Sequence, residues 1–289
     1  MAGFLKNILW PTDFSPEARE ALRYAEFFAR AFSAKITALH VAPDFMPGMY
    51  EHSLVIQKEL MGRGGEMKNQ ARDKIQLLGH KKGIAFRKIV VTEGSAAKKI
   101  VETAEKEKVD LIVMGKRGQS VLEKLLIGSV ANHVLRHSAV PVLVTKKSRR
   151  NLAVKKIVVP TDFTKEEEAE RDYAWNLARG LGASLTLLYV LELFGHEFRL
   201  VEEMFRAVEE KFKKRLAKRR RGVEVSGDVT RAISAAYGIV DYAREHRFDL
   251  IVMATCVGGL GRFFLGSTTE KVISSTDLPV FAIPPKYCS

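Results

Sequence analysis

The sequence predicts an α/β protein built from two tandem five-stranded parallel-sheet domains, each with helices on both faces. Three observations carry that expectation. Asp110-Leu111-Ile112-Val113-Met114-Gly115 recurs as Asp249-Leu250-Ile251-Val252-Met253-Ala254, so the chain is an internal duplication. Strand-like and helix-like patterns alternate along both copies, which calls for right-handed crossovers and a parallel sheet. Runs such as Leu111 to Met114 are continuously apolar, as strands covered on both faces are.

In chain order, Phe4 to Trp10 reads as a first strand whose copy leads into Ile157-Val158-Val159-Pro160-Thr161-Asp162-Phe163. A signal peptide would not be duplicated in mid-chain. Ser15-Pro16-Glu17 opens a helix, with serine as N-cap and proline at the first helical position. Ala18, Ala21, Leu22, Ala25, Phe28, Ala29 and Phe32 then form one apolar stripe. Further strands are expected at Ile36 to Val41, Phe86 to Val91, Asp110 to Met114 and Val142 to Thr145, with helices at Ala96 to Lys106 and Ser129 to His137. In the second copy the strands fall at Lys156 to Val159, Ser184 to Val190, Val223 to Val225, Asp249 to Met253 and Val280 to Ile283.

Asp13 and Asp162 lie 149 positions apart, whereas Asp110 and Asp249 lie 139 apart, so the first copy holds ten extra residues. They are expected in the stretch after Val41, where Pro43, Pro47 and the Gly62 to Gly65 cluster should interrupt helix. The two domains are placed at 1–147 and 153–289. The short charged segment Lys146 to Asn151 suits a surface crossing between packed halves better than a flexible tether. The apolar last strands, Val142 to Thr145 and Val280 to Ile283, need cover and are expected to pair within the chain; a homodimer is a further expectation.

Composition narrows the function classes. No run approaches the ~18 apolar residues of a membrane span. Cys256 and Cys288 are the only cysteines in the sequence, which excludes a disulfide framework and points to the cytoplasm. The net charge of +13 directs attention to anionic partners. Much of the excess lies in Lys211, Lys213, Lys214, Arg215, Lys218, Arg219, Arg220 and Arg221, at the end of one expected helix, where cations also suit the helix dipole. Without an aromatic platform that cluster reads as a solvated helix end; binding of nucleic acid or an acidic membrane is the alternative.

In open parallel sheets, ligands sit beyond the carboxyl ends of the strands where strand order reverses. Asp13, Val41 and the segment from Gly115 onward lie just past such ends. Gly115-Lys116-Arg117-Gly118 follows a strand, and Gly128-Ser129 opens the next helix. Glycines admit close backbone approach or positive φ, and a helix start supplies unpaired N–H groups, which together suit a phosphate chain. Lys116 and Arg117 could offset its charge.

The spacing Gly-2x-Gly-9x-Gly-Ser after Asp-Leu-Ile-Val-Met, with Pro11-Thr12-Asp13 and His40-Val41, resembles the universal stress protein family over nearly the whole chain, as two copies. That resemblance implies a Rossmann-like adenine-nucleotide fold. It implies ATP, with or without Mg2+, as ligand, with Pro11, Asp13 and the Val41 backbone around the adenine. Met114 and Gly115 would line the ribose side, and Gly118, Gly128, Ser129 and Val130 would receive the phosphates. The chain is then expected to be a nucleotide-responsive stress-response protein whose own partner the sequence does not name.

The second copy departs from this pattern. Ala254 and Val257 replace Gly115 and Gly118, the span to Gly266 is one residue shorter, and Phe263, Phe264 and Leu265 make the approach more apolar. Asp162, Val190, Gly266 and Ser267 mark a second, degenerate site. No P-loop and no G-x-G-x-x-G after the first strand occurs. No catalytic residue is identified, so a weak ATPase or phosphoryl-transfer activity is the most an enzymatic reading offers. His133 and His137 share a helix face but lack a third ligand, and no metal site is expected.

Overall fold

The computed structural model describes residues 4–42, 54–118, 127–146, 152–163, 167–192, 201–216, 222–255 and 265–284. The first half runs β1 (Asn7–Pro11), α1 (Pro16–Phe32), β2 (Lys35–Ala42), α2 (Leu54–Lys82), β3 (Phe86–Glu93), α3 (Ala96–Lys106), β4 (Leu111–Gly115), α4 (Ser129–His137) and β5 (Val142–Thr145). The second repeats it as β6 (Lys156–Pro160), α5 (Glu167–Leu181), β7 (Ser184–Glu192), α6 (Val201–Leu216), β8 (Val225–Ala232), α7 (Ala235–Glu245), β9 (Leu250–Ala254), α8 (Ser267–Ser275) and β10 (Val280–Ile283). Each half is a five-stranded parallel layer. The two layers fuse into one ten-stranded sheet, ordered β3-β2-β1-β4-β5-β10-β9-β6-β7-β8.

The fusion is the intramolecular pairing that the apolar last strands call for. β5 and β10 run antiparallel, with Val144 opposite Val280 and Val142 opposite Ala282. On one face of this seam, Phe28 and Tyr173 converge on Phe281, at 6.1 and 5.5 Å between ring centroids. On the other, α4 meets α8 through Glu270, which takes hydrogen bonds from Asn132 and Arg136 at 3.3 and 3.1 Å. A buried apolar seam with a polar latch at one edge holds the halves as a closed pair.

Local chemistry explains why both copies fold alike. Asp110 begins the doubled sequence, and its Oδ2 accepts from the backbone N–H groups of Lys6 and Asn7 at 2.8 and 2.9 Å. Asp249 does the same for Lys155 and Lys156, at 2.9 and 3.0 Å. Each carboxylate therefore fixes the start of the central strand beside it. Asp249→Ala should lower stability by about 1 kcal/mol, because the orphaned amides lie near solvent and water replaces the acceptor in part. An unchanged urea midpoint for that variant would refute this anchoring role.

At the other end of the same strands the chain turns sharply. Phe14 and Phe163 both adopt left-handed backbone, φ 64° and 62°, with their N–H groups donating to the hydroxyls of Thr12 and Thr161. Bulky residues rarely take that conformation. Its recurrence shows a turn demanded by the fold, one that carries the intervening aspartate past the strand end.

The structure corrects several boundaries. Gly62 to Gly65 do not interrupt helix; they lie within the 29-residue α2, so a long helix absorbs part of the extra sequence. Pro43 and Pro47 lie outside the described residues. The third strand of the second half is Val225–Ala232 rather than Val223 to Val225. Ser226, Asp228, Thr230 and Arg231 make it polar, which an edge strand tolerates and a search for apolar runs overlooks. β3, the opposite edge, likewise extends to Glu93.

Candidate functional site

β2 and β4 flank β1 on opposite sides, so the order of strands reverses at β1 in the first half and at β6 in the second. A cleft of about 230 Å³ opens above the first of these points. All nine residues of the first expected site line it: Pro11 and Asp13 beyond β1, Val41 on β2, Met114 and Gly115 at the end of β4, Gly118, and Gly128, Ser129 and Val130 at the start of α4. Thr12, Leu39, Ala96, Ile100, Arg117 and Ala131 complete much of the wall. Ala96 and Ile100 were not expected there. Ile100 belongs to the buried stripe of α3, with Ala96 half-buried one turn before it, and such a stripe reads as ordinary core.

Asp13 serves two ends at once. Its Oδ1 accepts from the Ser15 N–H at 3.0 Å, while Ser15 caps α1 by accepting from Ala18. The other oxygen faces Gly118, where a Cβ would come within 2.6 Å of it. Helix capping and a place in the cleft are therefore compatible. His40 supports the same turn, its Nδ1 lying 2.8 Å from the Thr12 carbonyl oxygen and its ring against Phe14.

The glycines earn their positions through close approach. A Cβ on Gly115 would meet Cβ of Glu17 at 2.8 Å, and one on Gly128 would lie 3.3 Å from Cα of Arg117. Positive φ is not the reason: none of Gly115, Gly118 and Gly128 adopts it. The Gly128 N–H is also not offered to a ligand, since it donates to the Lys116 carbonyl at 3.0 Å and closes the loop. Gly128 brings no capping side chain to α4. The first-turn N–H groups of Ser129, Val130 and Ala131 are left as the donors a helix start presents.

Of the two cations expected beside the phosphates, the structure brings one. Arg117 lines the cleft. Lys116 is turned away and buried, its ammonium donating to the Ser274 carbonyl at the end of α8. Burial, with Lys146 and Arg117 nearby, pushes that ammonium down to about 8. The backbone explains the reversal: Lys116 N–H donates to Thr145 on β5, so consecutive side chains at the end of β4 point to opposite sides.

The second half builds the same frame with different walls. Gly266 and Ser267 start α8, and the Gly266 N–H donates to Thr255 as Gly128 does to Lys116. Asp162 is exposed where Asp13 is half-buried. Ala254 carries a Cβ in place of Gly115, and Thr269, standing for Ala131, donates to the Ala254 carbonyl at 2.8 Å. Val190 presses on α7, where a Cβ on Gly238 would meet it at 2.6 Å. The first turn of α8 also carries Glu270, whereas that of α4 has no acid. A carboxylate there opposes an anionic ligand. Val257, Phe263, Phe264 and Cys256 lie outside the described residues.

Two further sequence features fall wholly or partly within the described residues. His133 and His137 stack at 3.9 Å, with His137 Nδ1 against the His133 carbonyl, and burial with His137 and Lys98 nearby holds His133 below its ordinary range. Among the described residues no group of three side chains could hold a metal ion. In the basic cluster, Lys213 pairs with Glu210 and Lys211 lies 5.2 Å over the Phe163 ring. Lys214 and Arg215 lie in the same helix, α6, and Lys218, Arg219, Arg220 and Arg221 lie outside the described residues. No described helix is long and apolar enough to cross a membrane.

Comparison with known proteins agrees with this architecture. Residues 5–146 and 153–284 each match the universal stress protein family. A universal stress protein of Methanocaldococcus jannaschii is 37% identical over 147 residues, covering 50% of this chain and 84% of its own length. One from Mycolicibacterium smegmatis is 25% identical over 295 residues and covers 97% of both chains, as a tandem must. A solved universal stress protein of Archaeoglobus fulgidus superposes with a TM-score of 0.66 over 97% of both chains at 24% identity, which speaks for the fold.

Proposed function

The chain belongs to the universal stress protein family, and from that premise we propose that it is a cytoplasmic ATP-binding regulator whose nucleotide sits in the first half. The observation that carries this reading is the convergence of the first-half motif on one cleft at the switch point of the sheet. Its fit to a nucleotide rests on features of the wall. Leu39, Val41, Ile100 and Met114 give an apolar slot for a base. Asp13 and the Val41 backbone supply an acceptor and polar backbone groups at its edge. Gly118 leaves open a space that a single Cβ would fill, and the start of α4 with Arg117 suits a phosphate chain. Binding needs no catalysis to be useful, since a ligand that prefers one conformation shifts the population toward it.

α4 offers a route for that shift. It begins at the cleft with Ser129 and meets α8 two turns later, where Arg136 holds Glu270 across the seam. The start of α4 and the second half's divergent site are thus joined by one helix and one ion pair.

The test is to denature freshly purified protein and identify the nucleotide it releases, for wild type, Gly118→Val and Gly266→Val. Wild type and Gly266→Val should release ATP, and Gly118→Val should release none. ATP retained by Gly118→Val and lost from Gly266→Val would move the nucleotide to the second half; none from wild type, with no binding on titration, would overturn the reading. Conversion of added ATP to ADP over hours would identify a slow hydrolase instead.

A further inference from the structure

The duplication leaves a second cavity, at the junction of the halves where β6, β9 and β10 begin. Phe4 precedes β1 and inserts between the halves, its ring 4.6 Å from that of Tyr173 on α5 and 5.7 Å from that of Phe32. By the repeat, Ala153 stands for Phe4 and Tyr24 for Tyr173, each pair 149 positions apart. Tyr24 and Ala153 do face a common space. It is not filled as its twin is: Tyr24, Leu152, Ala153, Val240, Phe248 and Leu278 form the apolar wall of a half-open cavity of about 290 Å³ at the junction of the halves, with Ser275 and Thr276 on its polar side.

We propose that this cavity binds a small, neutral, planar aromatic compound. The occupant is argued from the twin, in which a phenyl ring lies against the equivalent tyrosine. The size allows it, because an apolar cavity of about 150 Å³ already holds benzene. The charges at the rim are spent on protein partners. Arg244 is paired with Asp241, Asp277 with Lys146, and Asp249 Oδ2 with two strand amides. Recognition therefore falls to apolar area and ring contact with Tyr24. Pockets between packed units are a common place for such ligands.

The probe is indole, titrated into the full chain and followed by ligand-detected NMR and by calorimetric stoichiometry. Wild type should bind one equivalent saturably. Ala153→Phe, which copies the other half, should weaken binding at least tenfold and raise the melting temperature by about 3 °C. Phe4→Ala, which opens the twin slot on Tyr173, should bind a second equivalent. Failure of wild type to bind indole saturably overturns the proposal, as does Ala153→Phe binding as wild type does, which would place indole elsewhere, including the nucleotide cleft. Should Ala153→Phe not fold, the count for Phe4→Ala decides: two equivalents uphold the assignment and one refutes it.

Discussion

Replacing Lys116 by methionine should make the protein more stable at neutral pH, with an advantage that vanishes as the solution becomes alkaline. Lys116 is fully enclosed between the halves, with the Ser274 carbonyl as its acceptor and Lys146 and Arg117 as cationic neighbours. Its ammonium titrates at about 8 in the folded chain, against 10.5 for a free lysine. Below pH 8 the group is charged in both states, so the cost of burying the charge is fully present. Between pH 8 and 10.5 the folded state has released its proton while the unfolded state retains one, and stability rises with pH. The shift corresponds to on the order of 3 kcal/mol as an upper figure. Methionine fills a similar volume without a titrating group. Urea midpoints of both proteins, measured from pH 7.5 to 10.5, should converge as pH rises. A constant difference across that window would refute the assignment of a buried, depressed ammonium.

That lysine also marks the limit of what the sequence discloses. The fold was legible because duplication, apolar β4 and β9, and the proline-led start of α1 all point to one architecture. The pairing of β5 with β10 followed from two apolar edges that need cover. The position of the cleft was legible because strand ends and a helix start fix it, and the residues that the family resemblance implies fall along its wall, whereas Leu39, Ala96, Ile100 and Ala131 were not foreseen. Side-chain direction was not legible. Lys116 and Arg117 are adjacent cations in one loop, and only the hydrogen bond from the Lys116 backbone to Thr145 decides which faces the cleft. The same blindness applied to the glycines, whose reason is the nearness of Glu17 and Asp13 across the fold rather than their own dihedral angles. Polar edge strands such as β8 escaped because their pairing leaves no apolar run to detect.

Gly115→Ala should cost at least tenfold in ATP affinity by giving the first half the residue its twin already has. Two effects compete in that variant. Alanine restricts the unfolded chain, which favours folding by about 0.4–1 kcal/mol. Against this, its Cβ would stand 2.8 Å from Cβ and 3.1 Å from the backbone carbon of Glu17. Neither atom can move without moving the first turn of α1. Overpacking of this kind costs about 1–3 kcal/mol, so the clash wins. The displacement matters for function because that same turn is tied to Asp13 through the Ser15 N–H. A shifted helix carries the carboxylate out of register with Gly118 and with the start of α4, and one factor of ten in affinity is only about 1.4 kcal/mol. Calorimetric titration of ATP into both proteins, at a temperature where each is folded, measures the loss. Equal affinities would mean that Ala254 is not what sets the second half apart, and would shift attention to Thr269 and Glu270 at the start of α8.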